Sequence, residues 1–95
     1  MLKIYKSLET PEVFIEKINS RRNTYWYLYL GDKLINEDKL FHRMNKKQFD
    51  IIKILQSKNF NLKEISLIEL KNEINKLSSK NSKILLNFID KLENE

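Results

Sequence analysis

The chain has 95 residues, 41% of them hydrophobic and 33% charged, with a net charge of +5 and no cysteine. One core is all that such a length can bury, and the apolar share is too high for a disordered chain. A disulfide framework, a thiolate metal centre and a thiol nucleophile are excluded. The charge is uneven: residues 1–48 hold ten Lys/Arg against six Asp/Glu, whereas residues 49–95 hold eight against seven. A basic half points either to a polyanion partner or to a solvated face in a Lys- and Asn-rich chain. No run approaches the ~18 apolar residues of a membrane span, and no signal-peptide core is visible, so the expectation is a cytoplasmic single domain, 1–95, with no membrane partner.

Leu2-Lys3-Ile4-Tyr5 alternates and predicts a short first strand. Thr10-Pro11-Glu12 then reads as a helix start, with threonine as cap, proline where its missing N–H costs nothing, and Glu12 and Glu16 facing the positive end of the dipole. This N-terminal helix would turn Val13, Phe14, Ile15 and Ile18 inward and end with Arg21-Arg22 over its last carbonyls. The arginines suit a helix C-terminus whatever the protein does, and that role is the expected one ahead of a polyanion contact.

Thr24–Leu30 is the stretch richest in β-formers. Tyr25, Tyr27 and Tyr29 project one way and Trp26, Leu28 and Leu30 the other, so neither side is left for water. It predicts a central strand with a layer against each face, or with a partner against one. Gly31-Asp32 predicts a two-residue type II′ hairpin that would set Tyr29 opposite Leu34 and Leu28 opposite Ile35. Lys39 to Arg43 fits a short helix capped by Asn36 or the tail of a strand.

Asn45 with Gln48 forms a capping box, and Met44 can staple onto Phe49. The helix from Lys46 to about Lys58 carries Phe49, Ile51, Ile52, Ile54 and Leu55 and is expected at the centre of the second half. Asn61 with Glu64, and Phe60 against Ile65, would make Asn61–Ser66 a connector or a turn of helix; Ser66 with Glu69 is a competing start. Leu67, Leu70, Ile74 and Leu77 form a helical stripe, Ser78–Ser82 a polar break, and Ile84, Leu85, Phe88, Ile89 and Leu92 a last amphipathic helix. The fold class expected is α+β: a small antiparallel sheet with its central strand at about 24–30 and a hairpin at 31–32, one N-terminal helix and a three-helix C-terminal layer.

Chemistry is sparsely signalled. His42 is the lone histidine, the acids sit at helix starts or in Lys-rich faces, and Glu37-Asp38 falls short of an oxygen cage. The expectation is a protein that is not an enzyme, with no cofactor, no metal and no small-molecule substrate. Lys39, Arg43, Lys46 and Lys47 lie within nine residues that hold no acid. Lys46 and Lys47 stand at a first helical turn, where cations oppose the dipole, and an external anion would offset that. The tyrosine face next to Arg21 and Arg22 permits stacking on single strands, although a core or interface role suits it better.

From Asn45 onward the order is long helix, connector, helix, tight polar break, amphipathic helix. With Ser66–Ile74 as scaffold and Ser79–Ile89 as the presented helix, this half resembles the helix-turn-helix core of winged-helix DNA-binding proteins. It departs from that pattern in three ways: Asn75 stands at the usual glycine, the break is a residue or two long, and no strand pair follows the last helix. The resemblance implies that Lys80, Asn81, Ser82 and Lys83 meet bases and phosphates. The reading reached from sequence is therefore a winged-helix-like protein that binds double-stranded DNA, as a homodimer, of the plasmid or phage accessory or regulatory type. Its contacts are expected at Arg21, Arg22, Lys33, Lys39, His42, Arg43, Lys46, Lys47, Lys80, Asn81 and Lys83. The alternative is a small adaptor or inhibitor that docks a protein through the aromatic strand face.

Overall fold

The computed structural model describes residues 1–58 and 61–95, with backbone alone for 55–58. The described elements are β1 (Leu2–Ser7), β2 (Glu12–Lys17), β3 (Thr24–Tyr29), α1 (Glu37–Leu40), β4 (Phe41–Met44), α2 (Lys46–Lys58), β5 (Leu62–Ile65), α3 (Leu67–Asn75) and α4 (Asn81–Asn94). The strands make one antiparallel sheet in the order β4-β3-β2-β1-β5. The class is α+β as expected, with a larger sheet.

The main correction is β2, which the Thr10-Pro11-Glu12 signal assigned to a helix. Val13, Phe14 and Ile15 are consecutive, and all three are buried. Only the middle strand of a covered sheet satisfies that: Val13 and Ile15 join Ile4 and Leu28 on one face, while Phe14 joins Tyr5 and Tyr25 on the other. Thr10 and Pro11 instead form the β1–β2 corner. The Thr10 amide and hydroxyl both donate to Ser7 Oγ, at 3.2 and 2.8 Å, and the Pro11 carbonyl accepts from the Leu30 amide at 2.6 Å. A local cap signal cannot outweigh the burial of three adjacent β-formers.

β3 has the two-sided character its sequence shows. Trp26 and Leu28 enter the core beneath α1, α3 and α4, and Tyr25 and Tyr27 enter the smaller cluster beneath α2. A helical layer does lie against each face, although the middle of the sheet is β2. Tyr29 breaks the alternation and packs with the α4-side core, its ring so close to Gly31 that a Cβ there would collide with it.

The hairpin at Gly31-Asp32 is absent: no described glycine has positive φ, which a type II′ turn requires, and Leu28 pairs with Phe41 instead of Ile35. Asp32 and its neighbours are used to anchor α4. Asp32 Oδ1 accepts from the Ser78 and Ser79 backbone amides at 2.6 and 3.3 Å, and Asn81 Nδ2 donates to the Gly31 and Lys33 carbonyls at 2.9 and 2.8 Å. Lys39–Arg43 is split between the two readings: the short helix α1 begins after Asn36, whose side chain makes no cap hydrogen bond, and it runs directly into β4, a new strand and not the tail of a returning one.

α2 starts where its capping box places it: Gln48 N–H donates to Asn45 Oδ1 at 2.8 Å and Asn45 N–H to Gln48 Oε1 at 3.1 Å. Met44 and Phe49 share one cluster. The helix is not central, however. It covers one sheet face through Phe49 and Ile52, while Ile51 and Ile54 are 49% and 55% exposed. The Leu55 side chain and Phe60 lie outside the described residues. Asn61–Ser66 contains β5, an edge strand on β1, because its apolar Leu62 and Ile65 complete the two faces of the sheet.

The Ser66–Glu69 capping box then opens α3. Leu70 and Ile74 of α3 and Leu85, Phe88, Ile89 and Leu92 of α4 are buried against the sheet. Phe88 ties this layer together, stacked on Phe41 at 4.2 Å and edge-on to Trp26 at 5.2 Å. Such ring pairs add about 0.5–1.5 kcal/mol beyond burial. No helix among the described residues is long and apolar enough to cross a membrane.

Candidate functional site

The register of β2, β3 and β4 brings two distant basic segments to one end of the sheet. β2 turns into β3 through residues 18–23, which carry Arg21 and Arg22; β4 ends at Met44, opposite Tyr25, and delivers Arg43 and Lys46. Between them lies a cleft of about 860 Å³. Arg21, Arg22, Arg43 and Lys46 supply its positive charge, Tyr25 and Met44 its floor, and Asn19, Asn23, Asn45 and Gln48 its polar rim. Among the described residues no Asp or Glu lines it. Arg21, Arg22 and Arg43 are exposed, and among the described residues none of the three has a carboxylate within ion-pair distance.

The correction at β2 changes the meaning of Arg21 and Arg22. With no helix ending there, helix-dipole compensation cannot account for them. Their loop is held by its own polar groups, the Asn19 amide donating to Asn23 Oδ1 at 3.2 Å. Lys46 differs from the arginines. Its ammonium meets Asp50 one turn on at 2.8 Å, and that hydrogen bond and charge raise its pKa above the ordinary lysine value. Lys39 and Lys47 are exposed and, among the described residues, without an ion pair.

His42 lies next to the cleft floor. It is paired with Tyr27 across β3–β4, and the rings stack at 4.7 Å with 20° between their planes. Tyr27 in turn tilts against Phe14 at 5.8 Å. Burial first, and then the negative charge of Glu12, push the Tyr27 hydroxyl up to about 12. Tyr25, Tyr27, His42 and Met44 all point to the α2 side of the sheet, so the His42–Tyr27 stack stands beside Tyr25 and Met44, although neither ring lines the cleft itself.

The remaining sequence candidates gather elsewhere. Lys33, Lys80, Asn81 and Lys83 surround the far end of β3, where the 31–33 segment meets the start of α4. A six-residue strand separates the two groups, a span of roughly 20 Å. Asn81 is 2% exposed, with its amide spent on two backbone carbonyls. Its role is in the fold, and it does not join the basic cleft. The sequence points to the four cations of the cleft and to Tyr25 beside Arg21 and Arg22, but not to Asn19, Asn23, Met44, Asn45 or Gln48 as its lining. Only the strand register, which the misplaced helix concealed, could have joined residues 19–25 to 43–48.

No protein-family model matches the chain, and searches of curated proteins and of solved structures found no match either.

Proposed function

We propose that this is a non-enzymatic DNA-binding protein that holds duplex DNA by its phosphates in the Arg21–Arg22–Arg43–Lys46 cleft, with Lys39 and Lys47 flanking. The observation that carries the reading is the convergence of three exposed arginines, none paired with a carboxylate among the described residues, in a concavity lined without acids. Arginine forks match phosphate oxygens in two-point geometry, and release of condensed counterions drives such binding. A chain of this size offers few contacts, so the reading includes a homodimer that doubles them. A second contact falls to the exposed Lys80 and Lys83 at the start of α4, with Lys33 beside them; the helix is presented without a wing, since the 31–32 hairpin that would supply one does not form.

The test is a fluorescence-anisotropy titration of a labelled 20-base-pair duplex with the wild-type protein and with Arg21→Glu/Arg43→Glu. The wild type binds, and the variant loses about tenfold or more while its thermal midpoint stays put. Equal binding by both proteins, or no binding by the wild type, rejects the proposal. A second reading, a protein-docking module, draws on the outward Ile51 of α2, 49% exposed. The aromatic strand face itself does not favour it, because Tyr25 lies under Phe49 and Trp26 against Phe88.

A further inference from the structure

We propose that the His42–Tyr27 stack captures an unpaired nucleobase beside the cleft, so that the preferred ligand is duplex DNA carrying a single-stranded overhang. The inference rests on the DNA reading above and narrows its substrate. His42 is exposed on the edge strand β4, and one face of its ring is occupied by Tyr27 at 4.7 Å. The stack holds the imidazole flat, and a base laid on its other face would extend the Tyr27–His42 pair to three rings. His42 is two residues from Met44 on the same strand face, about 7 Å along the strand, and Met44 floors the cleft. That is one nucleotide step, so a backbone phosphate held by Lys46, at the start of α2 just beyond Met44, can deliver the next base to the ring.

Stacking of this kind tolerates any base, and a duplex with every base paired has none to offer away from its ends. Glu12, the acid nearest in charge to Tyr27, belongs to β2 and so lies across β3 from His42. The base therefore approaches from the side away from that carboxylate.

The experiment compares a blunt labelled duplex with the same duplex carrying a three-nucleotide overhang, by anisotropy at fixed salt. Wild type binds the overhang DNA roughly tenfold more tightly. His42→Ala removes that preference, while His42→Phe, which keeps a flat ring, retains it. Equal affinity of the wild type for the two DNAs overturns base capture and leaves the cleft reading standing. A preference that survives in His42→Ala, or vanishes in His42→Phe, overturns it too. No binding to either DNA overturns both readings together.

Discussion

Replacing Asn81 by alanine tests how the β3–β4 connection is tied to α4. The Asn81 side chain is buried and donates two hydrogen bonds, 2.9 Å to the Gly31 carbonyl and 2.8 Å to the Lys33 carbonyl. A hydrogen bond contributes about 1 kcal/mol net, and a buried acceptor left without a donor costs about 1–3 kcal/mol. Gly31 is half-buried and Lys33 exposed, so water reaches at least one orphaned carbonyl and the cost stays near the low end. Alanine regains a few tenths of a kcal/mol in helix propensity. The expected loss is about 2–3 kcal/mol, a large part of the roughly 5–14 kcal/mol a domain of this length has. Asn81→Asp should be worse, because it aims a carboxylate at two carbonyls. Urea unfolding followed by Trp26 fluorescence reads both variants, and with a slope of about 1 kcal/mol/M the alanine midpoint falls by about 2–3 M. Two variants within 0.5 kcal/mol of wild type would refute the reasoning.

Trp26→Ala leaves Phe88 without its edge-on partner at 5.2 Å and Thr24 Oγ1 without the indole donor at 3.1 Å. Because the ring is only half-buried, the loss should be about 3 kcal/mol, the lower end for a large aromatic, read by circular dichroism in urea. Stability should also fall as pH rises from about 10 to about 12, because the unfolded Tyr27 ionises first and the folded one is held protonated up to about 12. The part of the alkaline loss due to this residue should vanish in Tyr27→Phe; an unchanged profile in that variant contradicts the assignment. The exposed arginines should be silent in all these assays, and Arg21→Gln, Arg22→Gln or Arg43→Gln should each shift stability by less than about 0.5 kcal/mol.

How much was legible depended on the range of the forces involved. Capping boxes are four-residue chemistry, and two of the three that the sequence offers, Asn45 with Gln48 and Ser66 with Glu69, do open α2 and α3; the third, Asn61 with Glu64, falls on β5, where pairing with β1 overrides it. α4 was visible as a five-residue apolar stripe on one helical face. β2 was not, because Thr10-Pro11-Glu12 carries the same local signal whether it caps a helix or turns a corner. The decision came from Val13-Phe14-Ile15 needing cover on two sides. Gly31-Asp32 failed for a related reason: the turn residues were committed to Ser78, Ser79 and Asn81, almost 50 positions away. In the site, the cations stood out as charge, whereas their meeting in one cleft, and the separate cluster of Lys33, Lys80 and Lys83, followed from register alone.

The most direct test of the cleft's role is the salt dependence of duplex binding. Observed affinity for a 20-base-pair duplex should fall linearly with salt on logarithmic axes, and Arg21→Gln/Arg22→Gln/Arg43→Gln should flatten the slope by roughly 2–3, close to 0.9 for each lost phosphate contact. A triple variant with the wild-type slope, or a wild-type protein whose binding ignores salt, would contradict the account.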